Sequence, residues 1–136
     1  MPNDIGPNEL DLSGVWHGSF SYPRERPPTN FTAVLQDADG WLTGATEEVG
    51  EVGDARGRTL KATPQGKRSG REVLFLKTYD GAFKRYDSVR YAGELSAESD
   101  EISGVWTVPG SWSGNFVMIR SGHPYVAVER KAVERV

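Results

Sequence analysis

The stretch Asn30-Phe31-Thr32-Ala33-Val34-Leu35-Gln36, followed by Asp37-Ala38-Asp39-Gly40 and then by Trp41-Leu42-Thr43-Gly44-Ala45-Thr46-Glu47-Glu48, decides the fold class. In its first part Phe31, Ala33 and Leu35 alternate with Thr32, Val34 and Gln36, the period of two that puts one set of side chains on each face of a strand. Asp37-Ala38-Asp39-Gly40 supplies the turn chemistry of a hairpin connection. Strand character resumes at Trp41. Two such segments joined by such a turn predict a β-hairpin.

The same rhythm extends outward in both directions. Upstream, Gly14 to Tyr22 places Trp16, Gly18, Phe20 and Tyr22 on one face and Val15, His17, Ser19 and Ser21 on the other, so the aromatic face is the expected core face. Pro23, Pro27 and Pro28 then impose a loop, because proline cannot donate to a ladder and restrains the residue before it. Downstream, Val49 to Asp54 reads as a connection and Arg56 to Thr63 as a strand, with Pro64, Gly66 and Gly70 marking the next turn. Glu72 to Tyr79 carries Val73, Leu74, Phe75 and Leu76 and is expected to be covered on both faces. After Asp80-Gly81, Asp87 to Ser96 alternates Val89, Tyr91, Gly93 and Leu95 with polar neighbours. Ile102 to Val108 and, beyond Pro109-Gly110, Trp112 to Arg120 complete the pattern, the last with Phe116, Met118 and Arg120 on one face. The tail from Pro124 fits either a ninth strand or a helix through Val128 to Val136. About eight evenly spaced strands with no internal helix predict an all-β fold. Short local connections favour an antiparallel up-and-down barrel over a Greek-key sandwich, and closure removes the exposed edges.

A chain of 136 residues with 37% hydrophobic residues, four Trp, five Tyr and five Phe has the size and apolar surface of one domain. We expect a flexible N-terminal segment over 1–11 and the barrel over 12–136. The absence of cysteine removes disulfides, thiolate nucleophiles and thiolate-bound metals, and fits a reducing compartment. Met1 to Asn8 has neither the basic start nor the apolar stretch of a secretory signal, so a cytoplasmic location is expected. No apolar run reaches the roughly 20 residues of a membrane-spanning helix, and no membrane association is expected. The net charge of -3 is mild.

Leu12-Ser13-Gly14-Val15-Trp16 is nearly repeated as Ile102-Ser103-Gly104-Val105-Trp106. The first of these resembles the Gly-x-Trp that opens the calycin superfamily: the lipocalins, fatty-acid-binding proteins and avidins. That resemblance implies an up-and-down barrel whose Trp packs against its closed end. Tyr91 through Trp106, with Gly93 and Ile102 between, resembles the late hairpin of the avidins. The positions of the first strand that would face biotin in an avidin are Gly18, Phe20 and Tyr22 here, which does not favour that ligand. Gly14-Val15-Trp16-His17-Gly18 followed by Tyr22-Pro23 is similar to the first strand of nitrobindin-like haem proteins, at shorter spacing. No cofactor is expected.

The candidate ligand-binding residues are Phe20, Tyr22, Phe31, Trp41, Tyr91, Trp106, Trp112 and Phe116. Inward aromatics of a small barrel either line a cavity for one apolar molecule or fill the core, and the pattern permits both. Trp112, in Pro109-Gly110-Ser111-Trp112-Ser113-Gly114, reads as a turn aromatic, a type that more often marks contact than packing. His17 falls on the polar face of its strand, and His123 in a turn that could present it to a barrel mouth. Two isolated histidines without carboxylates at ligand spacing give no metal signature, and no nucleophile-base-orienter set stands out, so no catalytic residues are expected.

Arg56, Arg58, Lys61, Lys67, Arg68, Arg71 and Lys77 make the 56–77 hairpin basic. A solvated, edge-protecting face is its plainest role, since nucleic acid would need stacking aromatics beside it. The acidic run Glu47, Glu48, Glu51, Asp54 lies near enough to pair with it. The expected function is therefore a small non-catalytic protein that takes an apolar or aromatic small molecule at one end of a barrel. The alternative is a protein-interaction or homodimerising module that uses the Trp112 turn or the basic hairpin, with the interior filled.

Overall fold

Eight strands succeed one another in the computed structural model, which describes residues 11–22, 27–49, 57–80, 88–110 and 112–121. They are β1 (Gly14–Phe20), β2 (Thr29–Ala38), β3 (Trp41–Val49), β4 (Thr59–Ser69), β5 (Glu72–Tyr79), β6 (Ser88–Leu95), β7 (Glu101–Val108) and β8 (Trp112–Arg120). Each pairs antiparallel with its neighbours in the chain, and β8 pairs with β1, which closes an up-and-down barrel. Closure leaves no edge strand to protect. The β2–β3 hairpin turns on Asp39 and Gly40 with φ of +54° and +94°, the two positive values that match the twist of the flanking strands. Among the described residues no helix is long and apolar enough to cross a membrane.

The inward set is the one the alternation predicts: Trp16 and Phe20; Phe31, Ala33 and Leu35; Tyr91 and Leu95; Ile102 and Trp106; Phe116 and Met118. The turns at 39–40, 70–71 and 96–100 lie at one end of the barrel, and β1, β3, β5 and β7 end, towards the longer connections, at the other. At the short-turn end Leu12 and Trp16 are fully buried. The Trp16 indole N–H donates to the Leu12 carbonyl at 2.9 Å, and the Arg120 guanidinium lies over the Trp16 ring at 4.8 Å while donating to the Asp11 carbonyl.

Beside them Asp37 accepts from Arg68 Nε at 2.9 Å, from the Leu12 amide at 3.0 Å and from the Gly40 amide at 2.8 Å. Burial alone would raise the Asp37 carboxyl. The Arg68 guanidinium and the two amides outweigh it and hold the group below the usual aspartate value. One carboxylate thereby ties the N-terminal approach, β2, the first turn and β4 into a single cap.

Three expectations change. No turn forms at Pro64 and Gly66, because β4 runs through both and turns only at Gly70-Arg71. The missing N–H of Pro64 falls where the β3–β4 ladder is interrupted, between Thr43↔Gln65 and Thr46↔Ala62. At Gly66 a Cβ would lie 2.0 Å from the Leu74 carbonyl oxygen, so this glycine serves a close approach of β5. Nor is β5 covered on both faces: Leu74 and Leu76 are exposed on the outer wall, since the second face of a barrel strand is its outside. The basic hairpin, finally, is not a uniform solvated face, because Arg68 and Lys77 point inward and are buried. The tail from Pro124 and His123 lie outside the described residues.

Candidate functional site

Tyr22 just beyond β1, Tyr79 at the end of β5, Val108 at the end of β7 and Trp112 at the start of β8 are partly buried and pack against the core. The strand order puts all four at the end from which the long connections leave. Tyr22 and Trp112 lie with ring centroids 5.5 Å apart, and Trp112 meets Trp106 nearly perpendicularly at 5.6 Å. Phe20 continues the contact inward, 5.5 Å from Tyr22 and 5.9 Å from Trp106, both edge to face. These are the offset geometries that ring quadrupoles favour.

Backbone contacts hold the rim in place. The Trp106 indole N–H donates to the Ser21 carbonyl at 2.8 Å, and the Tyr22 and Thr29 hydroxyls are bonded at 2.9 Å. Gly114 makes room for both partners, because a Cβ there would stand 2.1 Å from the Ser21 oxygen and 2.7 Å from the Trp106 indole nitrogen.

Below the rim sits a buried ion pair. The Lys77 Nζ donates to Glu48 Oε1 at 2.6 Å and to the Tyr91 hydroxyl at 3.3 Å, and the Tyr79 hydroxyl donates to the same Glu48 oxygen at 2.9 Å. The ammonium also lies 4.9 Å from the ring centres of Phe31 and Tyr79, 5.1 Å from Phe20 and 5.4 Å from Tyr91. Four aromatic faces thus supply the electrostatic complement that water would otherwise provide. Burial pulls the Lys77 ammonium towards neutrality, but the oxygens of Tyr91, Tyr79 and Glu48 prevail and hold it protonated above the usual lysine range. Burial also pushes the Tyr79 and Tyr91 phenols up, against the opposing pull of Lys77.

This arrangement has a definite chemical capacity. A lysine held protonated has no lone pair with which to attack a carbonyl. Among the described residues no group of three His, Asp or Glu side chains could hold a metal ion. What the end of the barrel presents is the partly buried aromatic surface of Tyr22, Tyr79 and Trp112, with the Tyr22 hydroxyl tied to Thr29 and the Tyr79 hydroxyl to Glu48.

Of the residues singled out from sequence, Phe20, Tyr22, Trp106 and Trp112 come together at this end. Phe31, Tyr91 and Phe116 lie deeper, Tyr91 stacked on Phe75 at 4.8 Å and edge to face with Phe116 at 4.9 Å. Trp41 is elsewhere: it is 64% exposed on the outer wall, beneath the Lys67 ammonium at 5.6 Å. The reason is register. A two-residue turn sets Trp41 opposite Ala38, and Ala38 points outward because Phe31, Ala33, Leu35 and Asp37 point inward. The Trp112 turn reading is corrected on the same ground, since Trp112 is a strand residue opposite inward-facing Val108. His17 stands on the outer face, opposite Thr32.

Glu48, Lys77 and Tyr79 were not among the candidates. The signal that could have found them is strand phase: Val73 and Phe75 fix the inward face of β5, and the same phase carries Lys77 and Tyr79 inward. Leu42 and Thr46 do the same for Glu48. Compared with models of known protein families and with curated proteins, the chain finds no match.

Proposed function

We propose that this protein is a calycin-like binding barrel that takes a small apolar or aromatic molecule at its long-connection end, without catalysis. The observation that carries this reading is the pair of partly exposed rings Tyr22 and Trp112, in contact with each other and backed by Phe20 and Trp106, with Tyr79 partly buried at the same end. A rim of rings standing on packed rings is pre-organised, so a ligand that stacks there loses little to ordering of the protein. The buried Glu48–Lys77 pair keeps the floor of the site polar and fixed while the rim remains apolar. The Gly14-Val15-Trp16 start of β1, with Trp16 at the opposite end, agrees with the calycin resemblance.

The test combines native mass spectrometry of protein purified from its own host with titration of the neutral fluorophore 1-aminoanthracene, followed by tryptophan energy transfer. Saturable binding of one molecule per chain, weakened about tenfold or more by Trp112→Ala, is the expected result. Protein that carries no small molecule and gives no saturable fluorescence change overturns the reading.

A further inference from the structure

The outer wall opposite the β1–β8 seam carries a feature that ligand binding at the rim does not use. Register aligns Lys67, Leu74, Ala92 and Val105 across β4, β5, β6 and β7 in one hydrogen-bonded row. Leu74 is 52% exposed, Val105 44%, and Leu76 in the adjoining row 41%. Leu74, Leu76 and Val105 thus lie close together on adjoining strands of this wall, as an apolar stripe.

The charges beside the stripe are arranged unevenly. On β6, Arg90 and Glu94 flank Ala92 at equal distance along the strand, one towards each end of the barrel. Glu72 and Glu94 are direct cross-strand partners, and two carboxylates so placed repel each other. No cation of the described residues relieves them: the neighbouring Arg71 guanidinium is committed to the Ser96 and Ala97 carbonyls. Arg90 lies on the far side of the stripe, opposite Leu76 and Thr107, and it too has no carboxylate partner among the described residues.

We infer that this face, centred on Leu74 and Ala92, pairs with a second copy of the same chain about a two-fold axis that runs along the stripe. Such an axis carries each side of the stripe onto the other side of the partner. Leu74, Ala92 and Val105 then meet their own counterparts. Arg90 of each copy falls against the Glu72–Glu94 pair of the other, twice per dimer. An isologous contact requires a self-complementary patch, and an apolar centre with opposite charges on its two sides is one. The second copy also supplies the cation that the paired glutamates lack among the described residues.

Sedimentation equilibrium of the intact chain, from micromolar to submillimolar concentration, tests this. A monomer–dimer equilibrium is expected, with association weakened roughly tenfold or more by Arg90→Glu and restored in Arg90→Glu/Glu94→Arg, where the polarity is reversed on both copies. Leu74→Asp should leave only monomer. These side chains are exposed, so unchanged far-ultraviolet circular dichroism and thermal unfolding of the monomer separate a lost contact from a lost fold. A strictly monomeric protein at every concentration overturns the proposal, and so does a dimer indifferent to both Arg90→Glu and Leu74→Asp.

Discussion

Lys77 shows how far one residue's environment can depart from its type. Lysine is among the side chains least often buried without a partner, yet here its ammonium is enclosed by Glu48, two tyrosines and two phenylalanines. Removing one member of a buried pair leaves the other uncompensated, which costs about 3–5 kcal/mol, whereas replacing both with apolar groups is often neutral or stabilising. Lys77→Met should therefore destabilise the barrel by about that amount in urea denaturation, and Lys77→Met/Glu48→Leu should recover most of it. If the double variant is no more stable than Lys77→Met, the pair is not an isolated unit and the tyrosines depend on it.

At the scale of elements, β1 and β8 each begin or end on a tryptophan environment of a different kind. Trp16 in β1 has no exposed surface and is closed in by Leu12 and Arg120. Trp112, which opens β8, keeps one face partly open beside Tyr22. Trp16→Ala should cost about 3–5 kcal/mol, because the cavity it leaves is walled by packed strands. Trp112→Ala should cost clearly less, since solvent can enter the space it vacates. Equilibrium denaturation of the two variants side by side decides it, and equal losses would mean that β8 starts in the core and not on a rim. The element the sequence misplaced most was β4. Its Pro64 and Gly66 have the composition of a turn, but in a closed barrel one falls at a ladder gap and the other where β5 crowds in. Composition alone does not distinguish a break in the chain from a break in one row of hydrogen bonds.

At the scale of the whole molecule the short-turn end is held by a single charged cluster around Asp37. Its folded pKa lies below the ordinary value of 3.8, so the unfolded chain binds the proton more readily than the folded one. The stabilisation is fully present above the ordinary value and is lost as pH falls through the folded value. Chemical denaturation between pH 7 and pH 2 should show stability declining below about pH 4. In Asp37→Asn the protein should be less stable at pH 7 and its acid decline shallower, because the variant has no such proton to take up. An acid slope unchanged in Asp37→Asn would assign the decline to other carboxylates.

Strand count, antiparallel hairpins and the inward phase of Trp16, Phe20, Phe31, Tyr91, Trp106 and Phe116 were legible in the chain, because alternation is local and every second residue reports its face. The tertiary structure decided the rest: Glu48 on β3 and Lys77 on β5 meet across the interior although β4 separates them in the sheet, and Trp41 stands outside while Trp112 joins the rim. Phase states which side a residue faces, but closure and register determine which inward charges become neighbours and which outward residues line up in one stripe. Those depend on all eight strands at once, and no single segment of the sequence encodes them.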